Sequence, residues 1–300
     1  MRKVGTLPEK TPELVFEDFS DFNESKNMLF YGDTGAGKTG LLGQLPHTLY
    51  IAPERGTISA SRASKRWYRS SPVGTKIQRV LQWQDHPQGK DFLSTFAWVK
   101  ANPNAFRRIV IDSSTKAQQL AMRAIMEDVY RRNPEKRDVD LPDRPEHQKW
   151  QNMWRRFVDD WCELPVDVFW TAQAMRRENE EGEDIVLPYI YGKDYEMSAY
   201  TCAQMDVVGY MSVEREDSRL TRRILFEPDP PYWAKDWYGE WGHHVDWATS
   251  RGDGVWKQLH TMPGLLAKID GKQRQEGAVQ EDRPRIIPRK RATNRTTNNA

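Results

Sequence analysis

Short apolar runs alternate along this chain with longer stretches in which apolar residues recur at helical spacing. NMLFYG (27–32) is a compact apolar run ending on glycine, and residues 38–45 continue with a helical pattern. HTLYIAP (47–53) and KIQRVLQW (76–83) read as the second and third strands, with a helix over about 89–101. FRRIVIDS (106–113) is the clearest buried strand, because Ile109, Val110 and Ile111 stand in one run. A helix over 114–132 begins with Ser or Thr. In the next helix, 146–163, Trp150, Trp154, Phe157 and Trp161 fall at i, i+4, i+7 and i+11, a single face. Core packing is the reading of that stripe, with base stacking as the alternative. VDVFWTAQ (166–173) is a further strand, RRENEEGEDIVLP (176–188) a charged hairpin or loop, and 194–204 a short helix. DVVGYMSVE (206–214) and RLTRRILFE (219–227) are strands joined by a tight turn. Residues 228–250 read as irregular and 254–268 as a last helix. Strands alternating with helices specify an α/β fold. Its sheet is expected to be mostly parallel, flanked by helices, with an antiparallel C-terminal extension.

Composition narrows the picture. Twelve Trp, 11 Tyr and 10 Phe supply large burial per residue in a chain that is 38% hydrophobic. Two cysteines, far apart, exclude a disulfide scaffold and a cysteine-built zinc site. No run approaches the roughly 20 apolar residues of a membrane helix, and no apolar leader is expected at the N-terminus. Net charge is +2, yet residues 271–300 carry eight Lys or Arg against three Asp or Glu. A lead-in (1–26), a core (27–250), a C-terminal helix (251–270) and a disordered basic tail (271–300) follow from these shifts.

Candidate chemistry centres on Gly32-Asp33-Thr34-Gly35-Ala36-Gly37-Lys38-Thr39, with Gly40 behind it. This G-x-x-x-x-G-K-[ST] pattern lies between a predicted strand and a predicted helix, the context that confirms it. The glycines let backbone N–H groups turn inward on phosphate oxygens; Lys38 reaches the β- and γ-phosphates, and the Thr39 hydroxyl helps hold Mg²⁺. Asp112, ending FRRIVID, is the second metal carboxylate; its alternative is a helix N-cap, which Ser113 or Ser114 would supply equally well. Ser113 stands where many ATPases place a catalytic Glu. The candidate base is therefore Glu54, just past the strand after the phosphate-loop helix, against a plain surface Glu. Gln173, closing VDVFWTAQ, is a candidate γ-phosphate sensor, against an ordinary strand-end amide. His243, His244 and Asp246 lack further ligands at metal spacing and read as structural.

In this order and spacing, the phosphate loop, YIAPERGT, IVIDSS and WTAQ resemble the RecA-type ATPase core over about residues 27–240. Within it they are most similar to phage-encoded RecA-core proteins of AAA type, some of which act in single-strand annealing or recombination. The resemblance implies ATP and Mg²⁺ as ligands, Lys38 and Thr39 on phosphate and metal, Asp112 on metal, Glu54 as water activator and Gln173 as sensor. It implies a DNA-facing loop after the sensor, here with Arg176, Arg177 and Lys193 amid several carboxylates, so that a solvated hairpin stays an equal alternative. Family members reach a neighbour's nucleotide with a Lys and an Arg two residues apart. Here Lys235 fits, Trp237 stands where the Arg would be, and Arg222 or Arg223 are substitutes. Phe16, Phe19 and Phe22 are read as a clamp on their own core, with a tether to a neighbouring subunit as the alternative. The resemblance implies a cytoplasmic ATPase, in the host cell if phage-encoded. It would act on single-stranded DNA in recombination or replication as a ring or filament, alongside a single-strand binding or replication protein. A small-molecule (nucleotide) kinase and a non-hydrolysing, nucleotide-gated binding module are the alternatives.

Overall fold

The computed structural model describes residues 25–54, 72–135, 138, 140–179, 181–192, 195–251 and 256–281. Phe16, Phe19 and Phe22 lie outside them, as does the tail beyond residue 281. Eleven strands form one sheet: β1 (Asn27–Gly32), β2 (Thr48–Ala52), β3 (Lys76–Arg79), β4 (Arg108–Ile111), β5 (Asp167–Glu178), β6 (Asp184–Pro188), β7 (Val207–Glu216), β8 (Arg219–Leu225), β9 (Lys235–Asp236), β10 (His244–Ser250) and β11 (Trp256–Gln258). Among the described residues the helices are α1 (Lys38–Leu42), α2 (Phe92–Ala101), α3 (Ser114–Arg132), α4 (Arg144–Cys162), α5 (Glu196–Ala203) and α6 (Met262–Glu281). The strand order is β11-β10-β8-β7-β1-β5-β4-β2-β3, with β6 on β5 and β9 on β7. From β7 to β3 the pairings along this path are parallel; β8, β10, β11, β6 and β9 are antiparallel.

Strand alternation explains the unbroken apolar runs. Leu29, Tyr31, Ile109, Ile111, Val168 and Trp170 enter one core, under α3 and α4. Met28, Phe30, Val110 and Phe169 enter the other, with Leu41 and Leu42 of α1 and Leu265 and Ile269 of α6. A parallel sheet covered on both faces needs apolar side chains at every position, so no polar alternation appears. The tryptophan stripe of α4 is core: Trp150, Trp154 and Trp161 are buried, and Trp150 stacks on Trp154 at 5.8 Å.

The structure departs from the sequence pattern in several places: β3 stops at Arg79, and Lys235–Asp236 and Trp256–Gln258 pair as short strands where irregular chain and a helix were expected. Helix α1 stops at Leu42, before Gly43. Strand β5 runs past Gln173 to Glu178, because pairing with β6 gives its polar half a partner. Residues 244–250 form a strand rather than irregular chain; a register shift between Asp246 and Ala248 breaks the alternation that would have revealed it. The last helix starts at Met262, where the Thr261 hydroxyl accepts the Gly264 N–H at 3.0 Å, and it continues into the stretch expected to be disordered, through Glu281. The Lys, Gln, Arg, Glu and Ala content of 271–281 suits that extension.

Candidate active site

Strands β1, β5, β4 and β2 are parallel, so their C-terminal ends open on one edge, where ligands of such sheets bind. The loop after β1 leaves that edge. A side chain on Gly32 is impossible without movement, since a Cβ there would lie 2.1 Å from the Met211 carbonyl oxygen on β7. Gly37 has φ +102°, and its Cβ would meet the Trp247 ring at 2.6 Å. The Ala36 N–H turns back onto the Asp33 carbonyl at 3.2 Å. Lys38 Nζ donates to the Gly32 and Asp33 carbonyls at 2.7 and 3.0 Å, so its ammonium lies inside the loop's own turn. Burial pushes its pKa down, and the carboxylates of Asp112, Asp33 and Glu54 oppose that shift. Helix α1 has only five residues, so its dipole adds little at the loop.

Asp112 follows β4 and is 5% exposed. Its Oδ1 accepts from the hydroxyls of Thr171 at 2.6 Å and Thr39 at 3.3 Å. Burial raises its pKa; the two hydroxyl bonds pull it back, Glu54 adds to the rise and Lys38 opposes it. The N-cap of α3 is Ser113, whose Oγ accepts the Lys116 N–H, so Asp112 is not used as a cap. A buried carboxylate beside a threonine hydroxyl is a hard-oxygen donor pair, and it fits Mg²⁺. Glu54, half-buried beyond β2, accepts a hydrogen bond from the Ser113 hydroxyl through Oε1. The fold thereby brings a carboxylate from β2 to the residue next to Asp112. Gln173 lies opposite Gly32 in the β1–β5 register; its N–H donates to Thr115 Oγ1 at 3.0 Å and its carbonyl accepts the Tyr189 N–H at 2.7 Å.

The residues expected to face DNA divide. Arg176 makes a two-pronged ion pair with Asp33 of the phosphate loop, at 3.1 and 2.7 Å, rather than standing free for a nucleic-acid phosphate. That pair raises the guanidinium's pKa and holds the Asp33 carboxyl below its usual range. Arg177 is exposed, and Lys193 lies outside the described residues. Lys235, on β9, pairs with Val208 near the start of β7, away from the phosphate loop, and donates to the Ala203 and Met205 carbonyls of its own chain. Arg223 is held by Glu214 and Asp246, whereas Arg222 reaches the Gly35 carbonyl of its own chain. Among the described residues no group of three or more His, Cys, Asp and Glu could hold a metal ion. No described helix is long and apolar enough to cross a membrane.

Sequence reasoning missed Thr171. Its signal was available: it lies two residues before Gln173 on one strand face, and the Ile111–Trp170 pairing puts it beside Asp112. Thr171→Val keeps the side-chain shape and deletes the hydrogen bond. It is expected to weaken Mg²⁺-dependent nucleotide binding about tenfold. Nucleotide titrations with and without Mg²⁺ check this, and an unchanged Mg²⁺ dependence would remove Thr171 from the site.

The model of a family described as an AAA domain matches residues 24–238. Among solved structures, a KaiC-like protein from the hyperthermophilic archaeon Pyrococcus horikoshii OT3 is similar over 67% of this chain and 77% of its own, at 14% identity and a TM-score of 0.36. Among curated proteins nothing matches.

Proposed function

We propose, on the premise that the chain belongs to the AAA-domain family, that it is a Mg²⁺-dependent ATPase whose turnover is coupled to single-stranded DNA. One observation carries the nucleotide half: Thr39 and Asp112 meet at the mouth of the phosphate loop, and Glu54 joins them through Ser113. The loop amides and Lys38 bind and orient the β- and γ-phosphates. Thr39 and Asp112 would hold Mg²⁺, which when bound neutralises charge developing on the phosphoryl oxygens. Glu54 takes the proton of the attacking water, with the Ser113 hydroxyl orienting its carboxylate. Gln173, anchored by its backbone to Thr115 and Tyr189, begins the polar half of β5 that ends in the β5–β6 hairpin. Arg176 ties that hairpin back to Asp33, so a change at the γ-phosphate has a covalent and an ionic route to the hairpin.

The DNA half rests on Arg177 at the exposed end of this hairpin and on the basic C-terminal segment, both suited to phosphate contacts. A ring or filament working in phage recombination, annealing or replication, with a single-strand binding or replication protein as partner, is the setting this predicts. The host cytoplasm would be its compartment. ATP hydrolysis and DNA retention measured with and without single-stranded DNA, at low and high salt, test it. DNA-stimulated turnover and salt-sensitive retention are expected. Turnover indifferent to DNA, with no retention at low salt, would end the DNA half. No heat of association with Mg²⁺ and ATP would end the whole reading. A second reading draws on the same Arg176 contact: an arginine-bearing hairpin against the phosphate loop is also what a small-molecule kinase lid provides. Phosphoryl transfer to a nucleoside monophosphate in an acceptor screen would favour it.

A further inference from the structure

The antiparallel part of the sheet does more than extend the core. Arg222, on β8, donates from Nη2 to the Gly35 carbonyl at 3.3 Å. Its guanidinium lies 4.1 Å from the Trp256 ring centre and 5.4 Å from that of Trp247. Trp247 is a β10 residue, and Trp256 a β11 residue paired to Ser250. The Trp247 ring also closes the space beside Gly37, where a Cβ would find Arg222 Cδ at 3.2 Å as well as the indole at 2.6 Å. Two side chains from the last strands, Arg222 and Trp247, therefore lie against the loop at Gly35 and Gly37, and Trp256 backs the Arg222 guanidinium.

We infer that Arg222 is a positioning residue of the phosphate loop: stacked on two indoles, it grips the Gly35 carbonyl and sets the direction of the next amide. The inference rests on the nucleotide-binding reading above. The Gly35–Ala36 peptide is planar, so its carbonyl and the Ala36 N–H point in opposite directions. A guanidinium holding the carbonyl on one side turns the N–H to the other, where it meets the Asp33 carbonyl. Glycine at 35 leaves this stretch with wide backbone freedom, and nothing lies within 4 Å of its Cβ position. Holding one peptide plane removes part of that freedom before a phosphate arrives. The first residue of the loop is held differently, by packing on the Met211 carbonyl. Arginine suits the task because its planar, permanently charged fork stacks on indole faces while donating in its own plane; an ammonium does not. Arg223 cannot take over, since strand alternation sends it to the opposite face, where Glu214 and Asp246 hold it.

Full-length wild type, Arg222→Ala and Arg222→Lys are compared by hydrogen exchange over residues 33–39, by calorimetry with Mg²⁺ and ATP, and by steady-state kinetics. Both variants are expected to speed exchange in the loop and to raise Kd and KM for ATP about tenfold, with kcat little changed. Wild-type exchange and affinity in Arg222→Ala would overturn the inference. Recovery of both by Arg222→Lys would overturn it too, because charge alone would then suffice. Should Arg222→Ala not fold, Trp256→Leu, which removes one stacking face and keeps the donor, must give the same faster exchange; wild-type exchange there would overturn the inference. A wild type that binds no nucleotide would end the functional reading, and loop exchange would still decide the role of Arg222.

Discussion

Glu54→Gln is expected to lower ATP turnover on the order of a thousandfold while leaving Mg²⁺–ATP binding close to wild type. The amide has the shape of the carboxylate and keeps an oxygen for the Ser113 hydroxyl, so the contact that holds the side chain survives. Basicity is what disappears: an amide cannot take the proton of an attacking water. The positions of Lys38, Thr39 and Asp112 do not depend on that proton. Single-turnover hydrolysis beside calorimetric affinity measures the two effects separately. Loss of binding in step with turnover would make Glu54 structural, and near-normal turnover would remove it as the base. The same variant addresses a nucleotide-gated binding module, because DNA or partner binding that survives without turnover is what such a module would show.

Gly32→Ala is expected to cost about 3 kcal/mol or more of stability. The added Cβ would stand 2.1 Å from the Met211 carbonyl oxygen and 3.0 Å from its carbon, both backbone atoms of the neighbouring parallel strand. No rotamer change relieves a backbone contact. The ends of β1 and β7 must separate, breaking the ladder where Gly32 pairs with Met211. Lys38 donates to the Gly32 carbonyl, so the disturbance reaches the phosphate site directly. A melting temperature lower by about 6–12 °C should accompany weakened nucleotide binding. Gly35→Ala is the control: nothing lies within 4 Å of its Cβ position, and only the φ of +89° opposes a side chain. That strain should cost about 1–2 kcal/mol. Equal melting temperatures for wild type and Gly32→Ala would show that the β1–β7 contact is not close.

What could be read from residues alone was local. The phosphate loop is legible because its glycines, lysine and threonine act within one turn of chain. The tryptophan face of α4 is legible because helical spacing puts its members together whatever the rest of the fold does. Asp112 and Gln173 are candidates because each ends a predicted strand, and Glu54 because parallel strands end on one edge; the structure places all three at the edge where the loop begins. Arg176 shows where that rule stops. Two adjacent arginines in a charged hairpin read equally as nucleic-acid contacts, and only the course of β5 past Gln173 carries the first of them onto Asp33.

Local pattern thus determined the phosphate loop, the buried parallel strands and the doubly covered sheet. Tertiary structure decided which groups surround the loop. Thr171 on Asp112, Arg176 on Asp33 and Arg222 on Gly35 join positions 59, 143 and 187 residues apart. Each contact depends on strand order and register. These are set by packing summed over both faces of the sheet, so no short window of sequence contains them. In β10 a register shift also hid the strand that delivers Trp247 to the loop.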